Sequence, residues 1–246
     1  MNIITSKANN VVKKAKKLHQ KKYRTDSYLI EGWHLFEEAL SSGAEIISIF
    51  ALSEYADRLS GCKQVYWLSP DLLRDLADSK TPQGIVAEVR LQQEVLPEKL
   101  SGKYLFLEDV QDPGNLGTII RTADAAGFDG IFISEHSADL YNLKTLRSMQ
   151  GSHFHLPIYR LATTDLIDLA KKSDFPILAS TLSDDSIDYQ KLKGSQNFIL
   201  VMGNEGQGIS SMIEAAADQL VHIPMKGKAE SLNVAVAAGI LIFYLS

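Results

Sequence analysis

The chain has 246 residues, 45% of them hydrophobic and 22% charged, which suits one large or two modest soluble domains. A lone cysteine, Cys62, excludes an intrachain disulfide, and the opening stretch before Ala8 lacks the apolar run of a signal peptide, so a cytoplasmic protein is expected. Net charge of −5 excludes a general nucleic-acid coat, yet residues 1–24 hold eight Lys or Arg and no Asp or Glu, which suggests a local polyanion contact or a solvated helix face.

Asn9 and Asn10 offer N-caps for a helix through about Tyr23, with Val11, Ala15 and Leu18 as its apolar stripe and lysines elsewhere. Strands are predicted at Tyr28–Gly32, Ile46–Phe50, Val65–Leu68 and Gly84–Arg90, with helices at Trp33–Leu40 and Pro70–Asp78 between them. These make a small α/β unit, residues 1–95. The polar stretch from Leu91 to Gly102 contains Pro97 and has no period, so a linker is placed at 96–102.

From residue 103 to 246 strands and helices alternate regularly. The strands are Tyr104–Val110, Gly130–Ser134, Ile158–Leu161, Pro176–Thr181, Phe198–Met202 and Leu220–Ile223. The helices are Leu116–Ala126, Leu143–Met149, Asp165–Lys172, Ser210–Ala217 and Leu232–Leu245, the last too short to span a bilayer comfortably. Apolar strands alternating with helices predict a mostly parallel sheet covered on both faces.

Three stretches carry chemistry. Asp112-Pro113-Gly114-Asn115 follows a predicted strand, where α/β proteins bind ligands, and Asn115 is a candidate N-cap. Gly117, Arg121 and Ala125 then share a helix face; Arg121 can fork onto a phosphate or carboxylate, or pair with Asp124. The second stretch, Gly203-Asn204-Glu205-Gly206-Gln207-Gly208-Ile209-Ser210, nearly matches a phosphate loop, but Ile209 stands where the lysine belongs. Glu205 repels phosphate, so a ligand without a phosphate tail is favoured. In the third, Ile223-Pro224-Met225 ends a strand and Ser231 or Asn233 can cap the last helix. His153-x-His155 with one cysteine is a poor metal signature, and no metal is expected.

In order and spacing these stretches resemble the SpoU/TrmH branch of the SPOUT RNA 2′-O-ribose methyltransferases. Its first motif has an Asn and, six residues on, an Arg, here Asn115 and Arg121. Its glycine-rich motif is Gly203 to Gly208 with Glu205, and its last is Ile223-Pro224-Met225 with Ser231-Leu232-Asn233-Val234. Ser6-Lys7-Ala8-Asn9 and Ile30-Glu31-Gly32 look like the substrate-binding domain that often precedes it. One run departs: the family's R-x-S-x-G reads Arg147-Ser148-Met149-Gln150-Gly151, with Met149 in the place of the Ser.

The resemblance implies a C-terminal α/β trefoil-knot (SPOUT) domain with a mostly parallel sheet, after a small N-terminal α/β domain of ribosomal protein L30e-like fold. It implies S-adenosylmethionine as cofactor, with Gly203, Ile223, Leu232, Gly208 and Met225 lining its site. Arg121 is the implied activator of the ribose 2′-hydroxyl, positioned by Asn115, Glu205, Ser231 and Asn233. RNA, tRNA or rRNA, is the implied substrate, with Lys7, Lys13, Lys14, Lys17, Lys21, Arg24 and Arg147 as its contacts, and a homodimer through the knot is implied. A catalytically inactive RNA-binding or ribosome-assembly factor of the same fold is the alternative; methylation of a base nitrogen is disfavoured by the Asn115/Arg121 motif.

Overall fold

The structure is a computed structural model that describes residues 2–77, 79, 81–192 and 194–246. Two compact units emerge: unit 1 comprises Met1–Gln93 and Asp139–Phe154, and unit 2 comprises Glu94–Ala138 and His155–Ser246. The chain begins β1 (Ile3–Ile4), α1 (Asn10–Lys17), β2 (Ser27–Glu31), α2 (Trp33–Ser41), β3 (Ile46–Ala51), β4 (Val65–Leu68), α3 (Pro70–Ala77) and β5 (Ile85–Arg90). It continues β6 (Lys103–Leu107), α4 (Pro113–Ala125), β7 (Gly130–Ile133), α5 (Leu143–Met149), β8 (Ile158–Arg160), α6 (Thr163–Ser173) and β9 (Ile177–Ser180). The last elements are β10 (Ile187–Asp188), β11 (Phe198–Met202), α7 (Ser211–Ala216), β12 (Gln219–His222) and α8 (Val234–Leu245).

Unit 1 is built on a five-stranded mixed sheet in the order β1-β4-β3-β5-β2. Buried Glu88 in β5 accepts from the hydroxyls of Ser27 and Ser48 on the flanking strands, 2.7 Å each. That satisfies a charge which would otherwise be costly to bury. Asn9 caps α1 through its side chain, as its sequence position suggests. The helix is shorter than expected: it stops at Lys17, and a 3-10 turn at Lys21–Tyr23 follows. His19 explains the stop, because its Nε2 is held 2.9 Å from the Leu76 carbonyl and draws the chain toward α3. The buried stripe is Val12, Ala15 and Leu18, one residue off at its first position. The last predicted residue of the α3 helix, Asp78, lies outside the described residues.

The segment Asp139–Phe154, which carries α5, packs within unit 1. Asp139 accepts a forked pair of hydrogen bonds from Arg24, whose side chain is only 4% exposed. Arg147 donates to Glu31 at 2.9 Å, and the Tyr28 hydroxyl lies 2.9 Å from His153 Nε2. Burial, and then the neighbouring Tyr141 ring, push the Tyr28 hydroxyl well above its ordinary value, so it stays protonated. Gly151 sits at φ +97°, and a Cβ there would come within 2.8 Å of Glu38 Cγ. That glycine of the R-x-S-x-G run is thus required by the docking of this segment.

Unit 2 is a seven-stranded, wholly parallel sheet in the order β10-β12-β9-β11-β6-β7-β8. On one face Phe106, Phe132, Ile177, Ile199 and Val201 form a core with Leu166 and Ile213 from α6 and α7. Alternate residues Leu105, Leu107, Phe198 and Leu200 are fully buried on the other face. α8 packs against α4 and β11. The chain leaves β6 for β7 and β8 on one side, then resumes on the other with β9, and β11 enters between β9 and β6. The carboxyl ends of β6 and β11 therefore flank the switch point, the usual ligand crevice of such sheets.

Replacing Arg24 with Ala strands the Asp139 carboxylate without its forked donor. Urea unfolding should read a loss of about 2 kcal/mol, in the range for hydrogen bonds to charged groups.

Candidate active site

Two loops meet at the switch point. The first leaves β6 and enters α4. Asp112, not Asn115, is the N-cap: its Oδ1 accepts the Asn115 N–H at 2.9 Å, and Pro113 fills the first helical position, where no N–H is needed. Asn115 falls inside the first turn, which frees its side chain. The second loop leaves β11. Asn204 and Gly208 exchange backbone hydrogen bonds of 2.9 and 3.0 Å, closing Glu205-Gly206-Gln207 into a tight turn. The Asn204 Oδ1 accepts the N–H groups of Gly206 and Gln207, and its Nδ2 donates to the Asp109 carbonyl at 2.8 Å.

Glycine is needed in this turn for two distinct reasons. Gly208 has φ +71°. A Cβ on Gly203 would lie 2.2 Å from the Gly208 carbonyl carbon, inside any possible contact. Beneath the turn, buried Glu108 accepts from the backbone N–H and hydroxyl of Ser210 and from the Thr163 hydroxyl. That pins the start of α7.

Glu205 joins the two loops. Its carboxylate accepts the N–H groups of Gln111 and Asp112 at 3.0 Å each, and the Asn115 Nδ2 at 3.1 Å. A carboxylate only accepts, so the Asn115 amide nitrogen must face it and the Asn115 oxygen is left to accept. It accepts from Asn233 Nδ2 at 3.1 Å. The Asn233 oxygen, in turn, caps α8 by accepting the Ala235 and Val236 N–H groups. Burial works to raise the Glu205 pKa, but the N–H groups of Gln111 and Asp112 and the Asn115 amide outweigh it, and the carboxyl is held below the ordinary glutamate value. Glu205 is therefore fully ionised near neutral pH.

Beside this chain of contacts lies a cleft of about 580 Å3 between the β9, β11 and β12 loops and the start of α8. Gly203, Gly208, Ile223, Met225, Ser231 and Leu232 all line it, as does Glu205. No Lys or Arg does so among the described residues, whereas Glu205 and Glu230 do. Ser180 to Ser183, after β9, also line it and were absent from the expected set. Their signal in the sequence was weak: the carboxyl end of a predicted strand, with no glycine or charge to mark it.

Arg121 is not joined to these residues. It lies six residues beyond Asn115 along α4, about 9 Å of helix rise, exposed and without a hydrogen bond or ion pair among the described residues. The alternative partner, Asp124, is held by His155 Nδ1 at 2.8 Å. In unit 1, Lys13, Lys14, Lys17 and Lys21 are exposed, while Lys7 lies 3.5 Å from Asp75. Arg24 is committed to Asp139, and Arg147 is half-exposed and bound to Glu31. No grouping able to hold a metal ion occurs among the described residues.

A parallel sheet with a glycine-walled cleft beside its switch point, lined by no Lys or Arg among the described residues, defines an α/β domain for a non-phosphate cofactor. The chain belongs to the SpoU rRNA methylase family, whose model matches residues 102–243, and residues 9–87 match the MRM3-like substrate binding domain. It is 42% identical over 250 residues to the 23S rRNA (guanosine(2553)-2′-O)-methyltransferase RlmP of Bacillus subtilis strain 168, covering 100% of this chain and 99% of that one. Its fold is similar to the AdoMet-bound rRNA methyltransferase from Sinorhizobium meliloti, with TM-score 0.89 and 33% identity over 98% of this chain and 96% of that one. It is also similar to the SpoU methyltransferase AviRb from Streptomyces viridochromogenes in complex with AdoMet, with TM-score 0.81 and 30% identity over 96% of each chain.

Replacing Gly203 with Ala should force the Gly208–Ile209 backbone aside and abolish S-adenosylmethionine binding by calorimetry, while leaving the far-UV circular dichroism intact. Because the folded pKa of Glu205 is depressed, its contribution to stability is present above the unfolded value, about 4.3, and is lost as pH falls through the folded value. Acid unfolding of Glu205→Gln should accordingly be less steep below about pH 4.3 than that of the wild type.

Proposed function

We propose that this protein transfers the methyl group of S-adenosylmethionine to a ribose 2′-hydroxyl of ribosomal RNA, and that it does so in the cytoplasm. The observation that carries this reading is the hydrogen-bonded chain Asn233–Asn115–Glu205, which ties three separated motifs together at the edge of a cleft without cations. Identity of 42% across the full chain to an enzyme named for a 23S rRNA guanosine favours ribosomal over transfer RNA.

The cleft fits the cofactor. Leu182, Ile223, Met225 and Leu232 supply apolar walls, Gly203 and Gly208 let backbone approach closely, and Glu205 and Glu230 suit a ligand that is cationic rather than anionic. When bound, S-adenosylmethionine supplies a methyl group on a sulfonium centre that is already activated. The residues need only place the 2′-oxygen in line and let its proton go. Arg121 stays protonated under all working conditions, so it acts by binding a phosphate next to the reacting ribose and polarising the hydroxyl. The hydroxyl proton would pass to phosphate or water. Asn115, Glu205 and Asn233 hold the loops that present Arg121 and the cleft, and Ser231 lines the cleft.

Two further features belong to the reading. The C-terminal segment is threaded as a trefoil knot, supported by family membership and by β11 lying between β9 and β6 while α8 packs on α4. The active unit is a homodimer. Its support is α8, apolar on every face, which leaves Val236 and Phe243 more than half exposed. The exposed lysines of α1 serve the RNA through salt-dependent phosphate contacts.

Replacing Arg121 with Ala should cut labelled methyl transfer to unmethylated 23S rRNA by at least a hundredfold while calorimetry still reads S-adenosylmethionine binding. Near-normal turnover would remove the assigned role, and a wild type that binds RNA but never transfers methyl would make it an RNA-binding factor. Light scattering should give twice the chain mass for the wild type and a single chain for Phe243→Glu.

A further inference from the structure

A second cavity, of about 500 Å3, lies wholly within unit 1, at the end of β2 and the start of α2. It shares only Arg147 with the residues given a role above. Its volume is that of a small-molecule site, roughly 300–1,000 Å3, and its walls are mostly hydrogen-bonding groups.

The central group is Glu31. Its side chain is 5% exposed; Oε2 accepts from Arg147 at 2.9 Å, and Oε1 has no partner among the described residues. Oε1 is not fully buried, and as a carboxylate oxygen it is an open acceptor for a donor brought into the cavity. Gln83 is half used in the same way. Its Oε1 accepts the Trp33 N–H at 3.1 Å and its carbonyl accepts the Trp33 indole N–H at 2.9 Å, leaving Nε2 as a spare donor. Gln150 donates through Nε2 to the Arg147 carbonyl and accepts from His34 Nε2 through its own carbonyl, which leaves its Oε1 as a spare acceptor.

The frame around these groups is stiff. Gly32 has φ +96°, and a Cβ there would lie 2.9 Å from Gln83 Oε1. Gln150 adopts φ 53°, a conformation that non-glycine residues rarely hold without a reason. Phosphate does not suit the cavity, because Glu31 already neutralises Arg147 and would repel an anion. A metal does not suit it either, with one carboxylate already spent on an arginine. What fits spare acceptors beside a spare donor, in a slot within a substrate-binding domain, is the edge of a heterocyclic base; single-stranded RNA is read by taking unstacked bases into such slots.

We propose that this cavity takes one unstacked nucleotide of the RNA substrate, other than the nucleotide methylated, and reads its base edge with Glu31 Oε1 as acceptor and Gln83 Nε2 as donor. The inference rests on the RNA methyltransferase reading for the class of its ligand. The test uses the full chain and in vitro transcribed, unmethylated 23S rRNA. Glu31→Gln should weaken binding and raise KM for RNA at least fivefold, with turnover at saturating RNA and S-adenosylmethionine affinity within twofold of wild type. The slope of log affinity against log salt should stay as in the wild type, since no phosphate contact is lost.

His34→Trp, which narrows the cavity from a half-exposed position, should give the same loss, and it decides the matter if Glu31→Gln proves unstable by thermal melting. Unchanged RNA affinity in folded variants would overturn the proposal, and so would a shallower salt slope, which would mark a phosphate contact. If the wild type binds the transcript but transfers no methyl group, the catalytic reading fails instead, and the binding comparison still decides the cavity.

Discussion

Everything at the C-terminal site depends on one carboxylate. Glu205 leaves β11 in a turn that would repel most anions, and it stabilises itself by taking two backbone N–H groups and one amide from the loop after β6. Those strands are neighbours in the sheet, so the contact spans the switch point and fixes the distance between two loops with no helix or strand of their own. Charge-assisted hydrogen bonds of this kind are stronger than neutral ones. They let an exposed carboxylate order backbone that burial alone would leave loose, and the depressed pKa of Glu205 records the same energy from the proton's side.

From that fixed point the geometry propagates by elimination. Once Glu205 claims the Asn115 amide nitrogen, the Asn115 oxygen can only accept. Asn233 must then turn its nitrogen toward Asn115 and its oxygen toward the start of α8. One side chain thereby couples the cap of α8 to the loop that enters α4. α8 could not start elsewhere without losing either the cap or the link, and capping interactions are worth about 1 kcal/mol on their own. The cleft is the space left between loops placed in this way, and its lack of cations follows from which residues the loops carry.

Much of this was legible in the sequence. Strand and helix order was readable wherever apolar runs alternated with polar ones, and β11 matches its expected range residue for residue. The motifs were visible because glycine, asparagine and glutamate at fixed spacing have few other uses. What could not be read was pairing. Asn115 looked like a helix cap because Asn commonly is one, but Asp112 followed by Pro113 makes the better start and moves Asn115 inside the helix. The two-residue strands β1 and β10 escaped notice because they exist only through their parallel partners β4 and β12. Arg24 counted as one more basic residue, and nothing local announces that Asp139, 115 positions away, buries it.

The run Arg147-Ser148-Met149-Gln150-Gly151 makes the same point more sharply. By sequence it lies between the Asn115/Arg121 stretch and the glycine-rich turn and inside the range matched by the SpoU methylase model, so each of its residues invites a reading as part of that site. By packing it belongs with the substrate-binding unit. Arg147 secures Glu31, Gln150 bends into a left-handed turn, and Gly151 clears Glu38. Met149, in the position where the family often has Ser, is fully buried. A hydroxyl there would be an unpaired polar group in an apolar setting unless it found a backbone partner, whereas a thioether fills volume and tolerates irregular packing. The departure from the family pattern is therefore a change in how this segment packs, and the run that resembles a motif of the methylase domain is held by contacts within unit 1.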